Sequence, residues 1–275
     1  MFDKLFLNSD KGGKMRISVP IPHAQPAVTM KGVFDDFSSE ELHAHGCHQL
    51  LVIRNGVSVL IDDALKQPLF GELCAFLPAG CRHRNVVQGG SVAYQSVYVK
   101  RSVFPSDAKG VVVFALSGLG MALFDALADD PKQDFRSGVA GDSLRLFLRV
   151  VSSEMTRPTR AVRLPRPVSV ECGKLVDYLE SRFPHRIKAE DFSSVLPYSF
   201  RHISRLFRDE MKMTLFEYLR GVRMLQASVL LHDPARSVLD TALSCGYESL
   251  SAFYADFSRY FSGTPKRMRS GQEKR

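Results

Sequence analysis

The sequence predicts an α+β chain in two parts. A small β-barrel or sandwich with helices behind it comes first, followed by an all-α domain built on two helix-turn-helix units. Three observations predict this. Between Val33 and Val99 the chain carries short, β-branched runs separated by turn residues. After Phe114 the apolar period lengthens to that of a helix. The last hundred or so residues twice run through a short helix, a turn, a capping serine and a second helix.

The strand region is justified run by run. LLVIRNGVSVLIDD (Leu50–Asp63) holds Asn55-Gly56 at its centre, a pair that predicts a hairpin turn. ELCAFLPAG and SVAYQSVYVK predict further short strands, and such close spacing fits a barrel or sandwich. Residues 1–30 are expected to be irregular because Pro20, Pro22 and Pro26 interrupt them. LSGLGMALFDALADD and DSLRLFLRVVSSEM follow as helices. In the second, Leu144, Phe147, Leu148 and Val151 form one apolar stripe, read first as core and second as a face for a homodimer. The stretch Thr156–Val168 has three prolines and four arginines and cannot be a continuous helix. The expected organisation is therefore 1–155, a linker 156–168, and 169–275.

Composition limits the function. A chain of 275 residues that is 45% hydrophobic is long enough for two cores. Its net charge of +8 suggests a polyanionic partner. From Arg166 onward there are 18 Lys+Arg against 13 Asp+Glu, so the excess leans towards the C-terminus. Five unpaired-looking cysteines argue against a disulfide framework and for a reducing compartment. No secretory leader or membrane-spanning run is read, so the expected location is cytoplasmic, with no membrane partner.

The repeated helices carry the functional reading. Ser199 is placed to cap a helix over Phe200–Met211, with Ile203, Leu206 and Phe207 facing inward. Arg201, Ser204, Arg205 and Arg208 then share the outer face, where an Arg fork can grip guanine O6 and N7 in a major groove. On an isolated helix the same face is more often simply solvated. In the second unit Ser237 caps a short helix, Gly246 ends it, and Ser249 or Ser251 opens the next. Ala252, Phe253, Phe257 and Phe261 are expected inside. Leu250, Ser251, Tyr254 and Ala255 are expected outside, suited to thymine methyls and groove shape. Thr214–Leu231 reads as one long helix joining the two units.

The segment from Arg201 through Gly246-Tyr247-Glu248-Ser249, Phe253, Phe257, Phe261 and Thr264-Pro265 resembles the AraC/XylS family of bacterial transcription regulators. The resemblance implies a seven-helix double helix-turn-helix domain and a regulator of the activator kind. It implies base-contacting positions at Arg201, Ser204 and Arg205, and at Ser251, Tyr254 and Ala255 beside Ser249 and Leu250. Double-stranded DNA, a small-molecule effector, RNA polymerase and a second copy of the chain are the implied partners. Pro197 stands where the family usually has Gly, and Ser193 where it usually has Ala.

Nearer the N-terminus, His43-Ala44-His45, Gln49 and Gly56 resemble the first cupin motif, and Pro78-Ala79-Gly80 with His83 the second. The resemblance implies a cupin-type sensor barrel. In metal-binding cupins the positions of His43, His45, Gln49 and His83 hold the ion, but Gln in place of Glu removes a charged ligand. The expectation is no cofactor, with a small-molecule pocket lined by these four residues. A metal ion on them and purely structural histidines are the other two readings. Cys47 and Cys81 nearby raise a thiol sensor as a further one. The competing function class is a metal-dependent cupin enzyme with an appended helical domain.

Overall fold

The computed structural model describes residues 6–9, 15–18, 21–35, 41–87, 91–130, 132–157 and 159–270. Contacts divide the chain into two units, Met1–Asp63 with Leu69–Thr159, and Ala64–Pro68 with Arg160–Arg275. The division falls within the proline-rich stretch 156–168, and residues 160–168 go with the second unit. Among the described residues no helix is long and apolar enough to cross a membrane.

The first ten strands are β1 (Phe6–Ser9), β2 (Met15–Ser18), β3 (Ala27–Asp35), β4 (His48–Asn55), β5 (Ser58–Asp62), β6 (Leu65–Leu69), β7 (Leu73–Leu77), β8 (His83–Val87), β9 (Ser91–Val99) and β10 (Val112–Ala115). The opening thirty residues are thus not irregular throughout. β1 and β2 pair antiparallel and β3 begins at Ala27, because the prolines fall between strands rather than within them. One sheet runs β10-β7-β4-β9-β3, every ladder antiparallel. β5 pairs antiparallel with β8.

The hairpin expected at Asn55-Gly56 is a corner instead. β4 pairs with β7 and β9, whereas β5 belongs to another sheet. Gly56 turns there at φ +77, and a Cβ on it would stand 2.7 Å from the Ser91 carbonyl oxygen. The positive φ was readable from the residue pair, but strands that part into two sheets cannot share a hairpin ladder.

Helices α1 (Gly118–Ala128) and α2 (Gly138–Glu154) close the N-terminal unit. Leu144, Phe147, Leu148 and Val151 of α2 are all buried with Phe76, Phe114 and Phe124 in one core. The stripe is therefore used up inside its own unit and is not the surface of a dimer. The buried Glu154 carboxylate accepts from the Ser117 backbone N–H at 3.1 Å, where α1 begins.

The C-terminal unit holds strand β11 (Leu164–Pro165), which pairs antiparallel with β6, and seven helical segments among the described residues. These are α3 (Val170–Arg182), a 3-10 turn (Ala189–Ser194), α4 (Phe200–Met211), α5 (Leu215–Leu230), α6 (Val238–Ser244), α7 (Leu250–Tyr260) and α8 (Pro265–Ser270). Leu179, Phe192, Ile203, Phe207, Tyr218, Leu225, Phe253 and Phe257 form their buried centre. Val162 and Leu164 are buried as well, and a Cβ on Gly221 of α5 would lie 2.6 Å from Leu164 Cδ2. A bare helix surface there lets the β11 segment pack closely.

Candidate nucleic-acid interface and histidine cluster

Each long helix of the two motifs begins on a serine. The Ser199 side chain accepts from the His202 backbone N–H at 3.4 Å, and Ser249 from the Ala252 N–H at 3.2 Å. Such caps satisfy donors the first turn would otherwise leave open, worth about 1 kcal/mol each. The first motif turns through Leu196–Tyr198, with the Tyr198 N–H donating to the Leu196 carbonyl at 2.8 Å. Proline has no N–H to lose in this three-residue turn, which accommodates Pro197. Ser193 donates its hydroxyl to the Glu190 carbonyl at 2.7 Å, so it too fits.

Helix α4 presents two different faces. Ile203, Phe207 and Met211 are buried, Leu206 is half-buried, and Arg201, His202, Arg205 and Arg208 are exposed, with Ser204 half-buried beside them. Among the described residues none of the ion pairs uses Arg201, Arg205 or Arg208. Three guanidiniums unoccupied by carboxylates on one face are chemically fitted to phosphate oxygens and guanine edges. His202 was not singled out from the sequence. It stands exposed on α4 with its ring 4.9 Å from that of Tyr198. Its place three residues after the capping Ser199 was the available signal.

On α7, Phe253 and Phe257 are buried, while Leu250, Ser251, Tyr254 and Ala255 are exposed. Ala252, expected inside, is exposed: it shares its side of the helix with Ala255, three residues on and also exposed, whereas Phe253 and Phe257 fill the inward positions. Ser249 is exposed as well, with its oxygen engaged as the cap. Between the motifs, α5 carries a reciprocal capping box of Thr214 and Glu217, and α6 one of Ser237 and Asp240. The turn after α6 is locked from behind. Arg223 donates to the Phe183 and His185 carbonyls at 2.9 and 3.0 Å and sits 5.5 Å over the Tyr247 ring. Tyr247 donates to Asp256 at 3.0 Å.

In the N-terminal unit, His43 and His83 are joined by two backbone hydrogen bonds, 2.9 and 2.8 Å, and the Gly80 N–H donates to the His45 carbonyl at 2.8 Å. These bonds bring the two resembling motifs together. His43, His45 and His83 are all buried, and a ring nitrogen from each lies within 4.8 Å of the others. Burial, reinforced by its histidine neighbours, holds His43 down to about 4 and His83 well below the usual imidazole range, so both are neutral at pH 7. Gln49 donates its amide to Ser96 Oγ at 3.0 Å, and its Oε1 has no partner. His48 serves the core instead, accepting from the Ala79 N–H at 2.9 Å and packing on Phe76. Burial pushes the Cys47 and Cys81 thiols up to about 11 each, which disfavours the thiolate form at neutral pH.

A family model described as a helix-turn-helix domain matches residues 192–271. The activator RhaS of Enterobacter sp. (strain 638) is 30% identical over 249 residues, which cover 84% of this chain and 88% of that protein. The regulator YkgA of Escherichia coli (strain K12) is 35% identical over 96 residues, covering 35% of this chain and only 40% of that protein. Among solved structures, ToxT from Vibrio cholerae is 12% identical, covering 90% of this chain and 99% of that chain with a TM-score of 0.38.

Proposed function

Since the chain belongs to the AraC family of transcription regulators and carries its DNA-binding helix-turn-helix domain, we propose that α4 and α7 enter adjacent major grooves of one duplex and that α4 does most of the direct base reading. In this reading Arg201, Ser204 and Arg205 contact base edges, and Arg208 holds phosphate. Leu250, Ser251, Tyr254 and Ala255 of α7 sense methyl groups and groove shape, with Ser249 at the helix start. The observation that carries it is the face of α4: three exposed guanidiniums, none in an ion pair within 4 Å among the described residues, on a helix anchored by Ile203, Phe207 and Met211. The N-terminal unit acts as a sensor of a small ligand, and the outcome is activation of transcription through RNA polymerase, as the name of RhaS suggests. The matching relatives are named as transcription regulators, which points away from an enzyme.

The test compares Arg205→Ala with the parent protein on a selected operator and on random DNA. A loss of about 1–3 kcal/mol on the operator, with a much smaller loss on random sequence, is the expected result. Equal losses on both would remove Arg205 from base reading.

A further inference from the structure

Three helices of the C-terminal unit are tied together by one short extended segment, Arg160–Ser169. Its first residue reaches α7. The Arg160 guanidinium donates to the Ser258 carbonyl at 2.8 Å, a last-turn carbonyl for which the helix supplies no donor of its own. Its middle lies on α5, where Val162 and Leu164 are buried and Leu164 Cδ2 comes within 2.6 Å of the place a Cβ on Gly221 would take. Its end is held by α4. The Val168 and Ser169 N–H groups both donate to Glu210 Oε1, at 2.7 and 3.1 Å. The segment is further pinned by the β11 ladder to β6 and by the Arg166 N–H, which donates to the Ala64 carbonyl at 2.8 Å. Residues 64–68 belong to the same unit.

This gives α4 and α7 a second connection. Along the chain they are joined through α5 and α6, with a turn at each end of that route: Lys212 at φ +57 after α4, and Gly246 at φ +78 before α7. A change of backbone angle at either turn would swing one recognition helix relative to the other. The segment crosses between the two helices directly, and from Arg160 to Val168 an extended chain reaches at most about 29 Å. A linkage closed in this way has fewer ways to deform than an open one. None of its ties is needed to form α4 or α7, since each helix has its own serine cap.

We propose that Arg160 and Glu210 are positioning residues for operator recognition. With Leu164 seated on Gly221, they fix the separation of α4 and α7 and make binding depend on the number of base pairs between the two half-sites. The dependence on half-sites rests on the reading of α4 and α7 given above; the fixed separation does not.

The test pairs a strap variant with a spacer change. The full chain and Arg160→Ala/Glu210→Ala are titrated on the operator and on operators with one base pair inserted or deleted between the half-sites. Each such change moves one half-site by about 3.4 Å and about 34° around the helix. The parent protein should lose more than about 30-fold on the altered spacers. The double variant should lose less than about 10-fold, a narrowing that measures the coupling between strap and spacer. Arg160→Lys/Glu210→Gln keeps a donor and an acceptor at the two ends and should restore the parent's discrimination. A second readout needs no DNA. Spin labels at Asp209→Cys and Ala255→Cys, both exposed, are placed on a Cys81→Ser background, the other four cysteines being buried. Their distance distribution in the free protein should be narrow, and should broaden in the double alanine variant.

A parent that tolerates the altered spacers, or a double variant that keeps the parent's ratio while its thermal midpoint falls, overturns the positioning role. So does equal weakening on every DNA, which would make Arg160 a simple phosphate contact. An unchanged label distribution overturns the fixed separation itself. Absence of any sequence-preferring binding by the parent defeats the regulator reading instead, and the label distances are independent of that result.

Discussion

At the scale of single residues, the firmest contributions are the caps. Ser199, Thr214, Ser237 and Ser249 each accept a backbone N–H at a helix start. Thr214→Ala is expected to cost about 1 kcal/mol in chemical denaturation of the C-terminal unit. The boxes also set a pH dependence. The Thr214 N–H and hydroxyl, both donating to Glu217, hold its carboxyl below its ordinary 4.5, and Ser237 does the same for Asp240. A depressed folded pKa means that the stabilisation is present above the unfolded value and is lost as the pH falls through the folded one. Amide protection over Leu215–Tyr218, relative to the intrinsic exchange rate at each pH, should therefore fall below about pH 4.5. Glu217→Gln can still fill the box and should flatten that acid limb. An unchanged limb would show that other carboxylates dominate. The serine caps were legible in the sequence because a capping serine is a local device. His202 was not singled out, since its exposure depends on how α4 is rolled against the core.

At the scale of elements, the turn between α6 and α7 is the least forgiving part of the interface. Gly246 sits at φ +78, and a Cβ there would lie 2.6 Å from the Pro184 carbonyl oxygen and 2.9 Å from that of Phe183. Gly246→Ala meets both an unfavourable backbone conformation and a backbone clash, and it should destabilise the C-terminal unit by more than about 1 kcal/mol. A thermal midpoint equal to that of the parent protein would contradict this packing. Helices of the C-terminal unit were legible because capping and periodicity are local and agree with the tertiary contacts. The strands were legible as strands, but their partners were not. Asn55-Gly56 announced a turn, and only the sheet order shows that it is a corner. The stripe on α2 likewise announced a buried face, and the core that covers it decided against a surface.

At the scale of the whole molecule, a net charge of +8 and an uneven spread of basic residues imply binding that weakens with salt. Each phosphate contact adds about 0.9 to the slope of log affinity against log salt. Arg208→Ala should reduce that slope by about 1 and weaken operator and random DNA alike. Arg205→Ala should act mainly on the operator. Residues 160–168, whose prolines suggested a plain connector, instead lie with the C-terminal unit. Arg160 donates to the Ser258 carbonyl of α7 at 2.8 Å, so substitutions in this segment should be felt by the DNA-binding unit.

Two helices of one chain are proposed to occupy successive major grooves, with α4 the main reader. Guanine N7 methylation interference on a bound operator tests it most directly, because it reports major-groove contact base by base. Two clusters of interfering guanines about 10 base pairs apart on one face of the duplex are expected. Arg205→Ala should erase the stronger cluster, while Tyr254→Ala leaves it in place. A single cluster, or two that respond equally to Arg205→Ala, would contradict it.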